Sequence, residues 1–288
     1  MTPSELRALL AAHPATIVAE ITATRGSTPR EAGAFMLIAA DAVIGTIGGG
    51  ALEYMVIDRA RQVLRTGEAG DDLDIPLGPE IGQCCGGRVD IAMRRVDGPR
   101  AEALVARLEA EAVARRHVYL FGAGHVGHAL AAALAPLPFA VHVVDTRTAE
   151  LAGLPDNVEA VASPMPEAVV RSAPQGSVFV ILTHDHALDF LIAFEALKRA
   201  DSPYVGMVGS KTKRARFRSW YLGEGGDPAA LDRLVLPIGG RTFPQGLGDK
   251  RPAVIAALAA AEILVQIGGG EAPSRATEKV GARVADGR

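Results

Sequence analysis

HVYLFGAGHVGHAL, residues 117–130, passes from an apolar run through a glycine-rich turn into a helix-forming segment. Gly122, Gly124 and Gly127 stand in G-x-G-x-x-G spacing, and His125 opens the helix. In such a unit the first glycine allows the tight turn, the second lets a phosphate approach, and the third lets helix and strand pack. The helix start favours an anion. The stretch therefore predicts the first β-α unit of a Rossmann-like domain.

Strand-like runs and helix-forming segments continue to alternate after this unit. The strand-like runs are FAVHVVD (139–145), SVFVIL (177–182) and SPYVGMV (202–208), and helical segments lie at 187–200 and 250–267. This alternation indicates βαβ units and a parallel sheet. We therefore expect a Rossmann-like domain over residues 117–267.

Asp145 ends the second strand of this domain, at the distance from the glycine turn where dinucleotide-binding domains place a ribose-binding acid. The glycines and Asp145 together predict a phosphate-bearing ligand, and a dinucleotide is one candidate. Hydride transfer does not follow, because a fold does not dictate its chemistry. The sequence also shows no obvious His or Lys placed as the acid of a dehydrogenase substrate site.

Two further loops follow strands, and ligands of open parallel sheets bind at the carboxyl ends of strands. In THDHALD, Asp185 is a ligand-binding residue, the N-cap of the next helix, or both. His184 and His186 could bind a metal, but no further Cys or carboxylate cluster is near them in the sequence. After the next strand, Lys211 either pairs with a ligand phosphate or belongs to a solvated helix face.

Residues 1–98 predict a mixed α+β domain, because short β-branched runs broken by Gly, Pro and Asp surround one helix. Gly67 ends that helix, whose expected buried face comprises Leu52, Met55, Val56, Ala60 and Val63. Residues 99–116 predict a connecting helix, and the tail 268–288 is expected to be disordered. The predicted fold class is α/β: a C-terminal Rossmann-like parallel-sheet domain plus the N-terminal α+β domain.

The stretch GQCCGGRV (82–89) contains the only two cysteines of the chain, Cys84 and Cys85. Gly86 and Gly87 leave the backbone bare, so a large ligand could approach a thiol and main-chain N–H groups. Such N–H groups and the nearby Arg88 would lower the pKa of a thiol. A thiolate can serve as a nucleophile, a metal ligand or a sulfur carrier.

Two other loops of the N-terminal domain carry features of a binding site. Gly48, Gly49 and Gly50 precede a helix and could form an anion cradle, although a flexible turn is the simpler interpretation. Arg25 and Arg30 lie in the loop TRGSTPREAG. We expect these two loops and the cysteine loop to face one another.

The composition argues against several classes of protein. A net charge of −3 disfavours a general nucleic-acid binder. The N-terminus lacks the apolar region of a signal peptide, and no apolar run is long enough to span a bilayer, so no membrane association is expected. Two adjacent cysteines make no disulfide framework. We expect a soluble cytoplasmic protein with free thiols.

Together, the motifs resemble one family. The matching segments are RGSTPREAGAFMLI (25–38), GTIGGGALE (45–53), CCGGRV (84–89), FGAGHVGHAL (121–130), VVDTR (143–147), THDHALD (183–189) and YVGMVGSKTKRARF (204–217). The sequence resembles the xanthine dehydrogenase accessory proteins, called the XdhC/CoxI family. The ordered set spans most of the chain, which makes the match specific where GAGHVG alone would not be.

The resemblance implies a chaperone of the molybdenum cofactor (molybdopterin, a pyranopterin dithiolene with a phosphate tail) rather than a dehydrogenase. Members of the family bind this cofactor while an oxo ligand is exchanged for a sulfido ligand, with sulfur from a cysteine desulfurase. They then deliver it into apo-xanthine dehydrogenase. The Cys-Gly-Gly element of the family corresponds to Cys85, Gly86 and Gly87, and Cys85 is the candidate metal ligand. A homodimer is also expected from the resemblance.

The motifs define a set of candidate cofactor-binding residues and no catalytic ones. The set is Arg25, Gly48, Gly49, Gly50, Gln83, Cys84, Cys85, Gly86, Gly87, Gly122, Gly124, His125, Gly127, Asp145, Arg147, Asp185 and Lys211. Residues 240–251 depart from the family pattern by extra Gly and Pro. Two alternatives stay open: an NAD-dependent oxidoreductase, and a thiol redox sensor that forms a disulfide between Cys84 and Cys85.

Overall fold

The computed structural model describes residues 1–68, 70–79, 86–240 and 249–268. The chain divides into two compact units, one over Met1–Ala114 and one from Arg115 onward. The first contains an antiparallel sheet with helices and the second a parallel sheet with helices on both faces. The predicted fold class is confirmed.

The first unit is built on a five-stranded antiparallel sheet. Its elements are α1 (Pro3–Ala12), β1 (Ile17–Arg25), β2 (Phe35–Ile38), β3 (Val43–Gly45), α2 (Gly50–Thr66), β4 (Gly70–Pro76), β5 (Arg88–Arg95) and α3 (Gly98–Val113). The strand order is β3-β2-β1-β5-β4. One face packs against α2 through Leu52, Val56, Ala60 and Val63, whereas Met55 is exposed, contrary to the expectation. Gly67 ends α2 with φ +78°.

The other face of this sheet is covered by α1 and α3. Leu104 and Leu108 of α3 belong to the same apolar cluster as Leu6 of α1 and Leu37 of β2. The helix expected to connect two domains is therefore part of the first unit. It ends at Val113, and Arg116, which the prediction included in it, already belongs to the next strand.

The second unit is built on a six-stranded parallel sheet. Its elements are β6 (Arg116–Phe121), α4 (His125–Leu134), β7 (Phe139–Asp145), β8 (Val158–Ala162), α5 (Pro166–Ser172), β9 (Val178–Ile181), α6 (His186–Lys198), β10 (Val205–Met207), α7 (Lys211–Gly223), β11 (Leu234–Val235) and α8 (Pro252–Gly268). The order β11-β10-β9-β6-β7-β8 is the doubly wound order of Rossmann domains. The strand order reverses between β6 and β9, the point where such sheets bind ligands.

Helices cover both faces of this sheet. One face packs against α4 and α8 and the other against α5, α6 and α7. Residues 241–248, within the atypical segment 240–251, and the tail from residue 269 lie outside the described residues. In the part that is described, no helix combines the length and the apolar character needed to cross a membrane.

Candidate functional site

The three glycines of GAGHVG have different roles in the structure. Gly122 has φ +113°, and a Cβ there would lie 2.7 Å from the carbonyl oxygen of Leu182. A Cβ on Gly127 would lie 2.0 Å from the carbonyl oxygen of Gly122. Both positions are therefore required by the backbone itself, as the motif predicts for the tight turn and the helix packing. At Gly124 no described atom lies within 4 Å of an added Cβ, so the start of α4 is open to a ligand.

Asp145 is buried at the end of β7, and both of its oxygens accept hydrogen bonds from the protein. The N–H of Ala123 donates to Oδ2 (2.8 Å), and the N–H and Nε of Arg147 donate to Oδ1 (2.9 and 3.2 Å). Burial raises the pKa of Asp145, but the hydrogen bonds from Arg147 and Ala123 outweigh it and hold the pKa below its usual value. A ribose would therefore have to displace the Arg147 side chain from this carboxylate.

The loops after β6, β7 and β9 border a small cleft at the carboxyl edge of the sheet. It is lined by Gly122, Val144, Asp145, Thr146, Pro166, Thr183, His184 and Leu188. Asp185 caps α6, accepting hydrogen bonds from the N–H groups of Ala187 (2.8 Å) and Leu188 (3.3 Å). His125 is exposed at the start of α4. Among the described residues, no three His, Cys, Asp or Glu side chains are grouped as a metal site.

Of the two lysines in the first turn of α7, Lys213 and not Lys211 forms a buried ion pair. Lys211 is exposed, whereas Lys213 is buried, forms an ion pair with the fully buried Asp189, and donates to the carbonyl of Val208 (2.9 Å). Asp189 also accepts from the N–H (3.1 Å) and the hydroxyl (2.6 Å) of Thr183. This network joins the loops after β9 and β10 beside the cleft.

Sequence reasoning missed this pair, although a signal was present. Lys213 precedes Phe217 and Tyr221 at intervals of four, and all three are buried on one face of α7. Asp189 likewise falls in register with Ile192 and the other buried residues of α6. A charged residue at an apolar position of a helical period indicates a buried, paired charge.

In the first unit, the loop that follows β1 approaches each of the other two glycine-containing loops. A Cβ on Gly87 would lie 2.1 Å from the carbonyl oxygen of Ser27, and one on Gly26 would lie 3.2 Å from Cα of Gly87. The same loop places Cγ of Pro29 2.4 Å from the position of a Cβ on Gly48. Among the described residues, these approaches agree with part of the expectation that the three loops face one another.

The cysteine loop is held at its base by the sheet. Gly86 donates its N–H to the carbonyl of Leu77 (2.9 Å), and Leu77 donates to the carbonyl of Gly87 (2.8 Å). Leu77 is fully buried. Gln83, Cys84 and Cys85 lie outside the described residues. Leu77, Gly86 and Gly87, the described residues that flank this segment, are thus hydrogen-bonded to one another, and Gly87 lies next to the loop that follows β1.

The turn at Gly48–Gly50 differs from the expected anion cradle, because a side chain of the protein already occupies it. Oε1 of Glu53 accepts the N–H groups of Ile47 (3.0 Å) and Gly49 (2.9 Å) and the hydroxyl of Thr46. Burial raises the pKa of Glu53, but these hydrogen bonds outweigh it and lower the pKa below its usual value. The donors that an anion would need are bound to an ionised carboxylate.

Arg25 also differs from a free anion-binding cation. Its guanidinium pairs with Asp90 (2.5 Å) and Asp74 (3.3 Å), and Arg88 pairs with Asp74 (2.8 Å). These four side chains form a charge-balanced group where β1, β4 and β5 meet. The positive charge of Arg88, expected to act on the thiols, is therefore compensated by Asp74.

Comparison with known protein families gives one match in each of the two units. Residues 118–263 match the profile of the XdhC Rossmann domain, and residues 9–74 match that of the XdhC and CoxI family. The first match alone covers half of the chain. This chain belongs to the XdhC/CoxI family. The family predicted from the ordered motifs is confirmed.

Two similar proteins extend the comparison. The uncharacterized protein YqeB of Escherichia coli (strain K12) is 27% identical over 264 residues, which are 86% of this chain and 42% of YqeB. The chain thus spans less than half of that relative. A solved structure from Bacillus halodurans, described as a xanthine dehydrogenase, has a TM-score of 0.78 at 18% identity and covers 95% of this chain and 98% of its own. The second likeness shows a shared fold.

Proposed function

We propose that this protein binds the molybdenum cofactor, holds it during sulfuration and delivers it into apo-xanthine dehydrogenase. The observation that carries the proposal is the membership of the XdhC/CoxI family, which suggests a role in xanthine dehydrogenase maturation. The cofactor is cargo, and the proposed partners are the cysteine desulfurase that supplies the sulfur and the dehydrogenase that receives the finished cofactor.

The loop cluster of the first unit supports this proposal through its bare backbone. At Gly49 and at Gly86, both with positive φ, the described chain leaves the space around an added Cβ empty to 4 Å. Such positions let a large, flat ligand lie against the main chain. Cys85 directly precedes Gly86 in the sequence, so the proposal assigns its thiolate to the same ligand. In this proposal Cys85 ligates molybdenum and the glycines accommodate the pterin.

The direct test is anaerobic capture of the cofactor. Purified protein is mixed with free molybdenum cofactor and desalted, and the bound molybdenum and pterin are measured. Cys85→Ala and Cys84→Ala are both test variants, because both thiols belong to the candidate set. We expect the wild type to retain both components and Cys85→Ala to retain about tenfold less, a difference of about 1.4 kcal/mol, and Cys84→Ala shows whether its thiol contributes as well. A wild type that retains neither component contradicts the proposal.

A dinucleotide ligand is the second candidate, and the open start of α4 at Gly124 favours it. The occupied carboxylate of Asp145 counts against recognition of a ribose. A titration with NAD and NADP followed by calorimetry separates the two candidates. Saturable binding together with a substrate-dependent absorbance change would favour an oxidoreductase, whereas no binding at millimolar concentration removes that alternative.

A further inference from the structure

The segment between β3 and α2 forms a cradle of N–H and O–H donors that is closed by the chain itself. Gly48 and Gly49 have φ of +131° and +79°, and this left-handed backbone turns the N–H groups of Ile47 and Gly49 toward one point, while the N–H of Gly48 donates to Oγ1 of Thr46 (3.2 Å). Oε1 of Glu53 lies at that point and accepts from Ile47, Gly49 and the hydroxyl of Thr46. One oxygen therefore receives three donors, the arrangement that a bound oxyanion would adopt.

An external anion cannot share this position with Glu53. A carboxylate that accepts several backbone N–H groups favours its ionised form, and the lowered pKa of Glu53 agrees with this. A phosphate would have to break three charge-assisted hydrogen bonds and approach a like charge. While Glu53 is in place, the cradle is closed to phosphate.

The cradle is also mechanically linked to the base of the cysteine loop. Gly48 contacts Pro29, because a Cβ there would lie 2.4 Å from Cγ of Pro29. Ser27 precedes Pro29 by two residues, and its carbonyl oxygen would lie 2.1 Å from a Cβ added to Gly87. Neither contact has room for a side chain. The turn held by Glu53 and the base of the cysteine loop at Gly87 therefore both pack closely against the loop that follows β1.

We propose that Glu53 is a positioning residue: its carboxylate is the built-in anion of the cradle, and it holds the three loops of the first unit in register. It excludes phosphate from residues 47–49, so the phosphate tail of a cofactor binds elsewhere. The role of Glu53 in loop order stands on the geometry alone. Its consequence for cofactor capture rests on the proposed function.

Chemical rescue tests this proposal. Glu53→Ala removes the carboxylate and leaves the donors in place, and acetate is a small carboxylate that can replace it. Asp58→Ala, an exposed acid on the same helix, is the matched control. Each protein is melted in sodium chloride and in sodium acetate of equal ionic strength. We expect Glu53→Ala to lose about 5 °C in Tm in chloride and acetate to restore at least half of that loss. For the wild type and for the control variant, the Tm in acetate should equal the Tm in chloride.

The proposal is overturned if acetate stabilises the wild type as much as Glu53→Ala, or fails to stabilise the variant. Should Glu53→Ala not fold, Glu53→Gln keeps an acceptor oxygen without the charge. The Gly49 amide, followed by NMR, should then shift saturably with inorganic phosphate in Glu53→Gln and not in the wild type. Equal shifts in both proteins contradict exclusion of phosphate.

Cofactor capture separates this proposal from the proposed function. If the wild type captures cofactor, Glu53→Ala should capture less in chloride and recover in acetate, and capture that is unchanged contradicts the positioning role. If the wild type captures none, the proposed function fails, while the melting experiment still decides the role of Glu53.

Discussion

The buried ion pair between Lys213 and Asp189 allows a quantitative prediction for the second unit. Lys213→Met keeps the length of the apolar stem and removes the ammonium. Asp189 then stays fully buried with its two bonds from Thr183 and without its cation. Removing one partner of a buried pair costs about 3–5 kcal/mol. We expect a loss of this size in the free energy of unfolding.

Asp189→Asn should cost a similar amount, because it leaves the buried Lys213 ammonium without a compensating negative charge. The double variant contains no buried charge at this place. Its loss should be smaller than the sum of the single losses by about 2 kcal/mol or more.

The assay is urea unfolding followed by fluorescence of Trp220, the only tryptophan of the chain. Its ring lies on α7 with its centroid 5.5 Å from that of Phe190 on α6, so it reports the packing of the helices that carry the ion pair. A loss below about 1 kcal/mol for Lys213→Met, as for an exposed ion pair, would contradict the prediction. Stability losses of the two single variants that simply add in the double variant would contradict it as well.

Three other predictions concern single positions of the second unit. Gly127→Ala should cost more than about 2 kcal/mol in the free energy of unfolding, because its Cβ meets backbone, whereas Gly124→Ala should stay within about 1 kcal/mol of wild type. Unfolding in denaturant measures the free energy of unfolding of both variants. Asp185→Ala should lose about 1 kcal/mol of stability, as for an N-cap, with cofactor capture unchanged. Reduced capture would indicate that Asp185 also contacts the cofactor. Burial lowers the pKa of His142 below its usual value of about 6.5, against the opposing effect of Glu159. The neutral imidazole is favoured in the folded state, so stability present above about pH 6.5 should fall as the pH drops below it. His142→Gln should lose less stability than the wild type when melts are compared across this pH range. An equal loss in both proteins contradicts the assignment of this pH dependence to His142.

The parts of the structure that sequence predicts best are those where one local rule decides the backbone. Gly122 and Gly127 stand in positions that no side chain can enter, so their spacing alone indicates the turn and the helix packing. Alternation of strands and helices likewise predicts the parallel sheet.

The parts that sequence did not predict depend on which polar groups find each other in space. Gly48–Gly50 has the pattern of an anion cradle, but Glu53, one helical turn away, is long enough to reach back and fill it. Arg25 has the type of an anion-binding residue, yet β4 and β5 bring Asp74 and Asp90 to it. A motif gives the donors of a site, and the three-dimensional fold decides which acceptor occupies them.

Transfer of captured cofactor to the dehydrogenase is the decisive experiment for the proposed function. Wild-type protein loaded anaerobically with sulfurated molybdenum cofactor is desalted and mixed with apo-xanthine dehydrogenase, and xanthine oxidation is compared with that obtained from an equal amount of free cofactor. We expect the protein-bound cofactor to activate the dehydrogenase at least as fully as the free cofactor and to stay protected during the delay before mixing. A loaded protein that retains its cofactor and leaves the dehydrogenase inactive would contradict the proposed delivery.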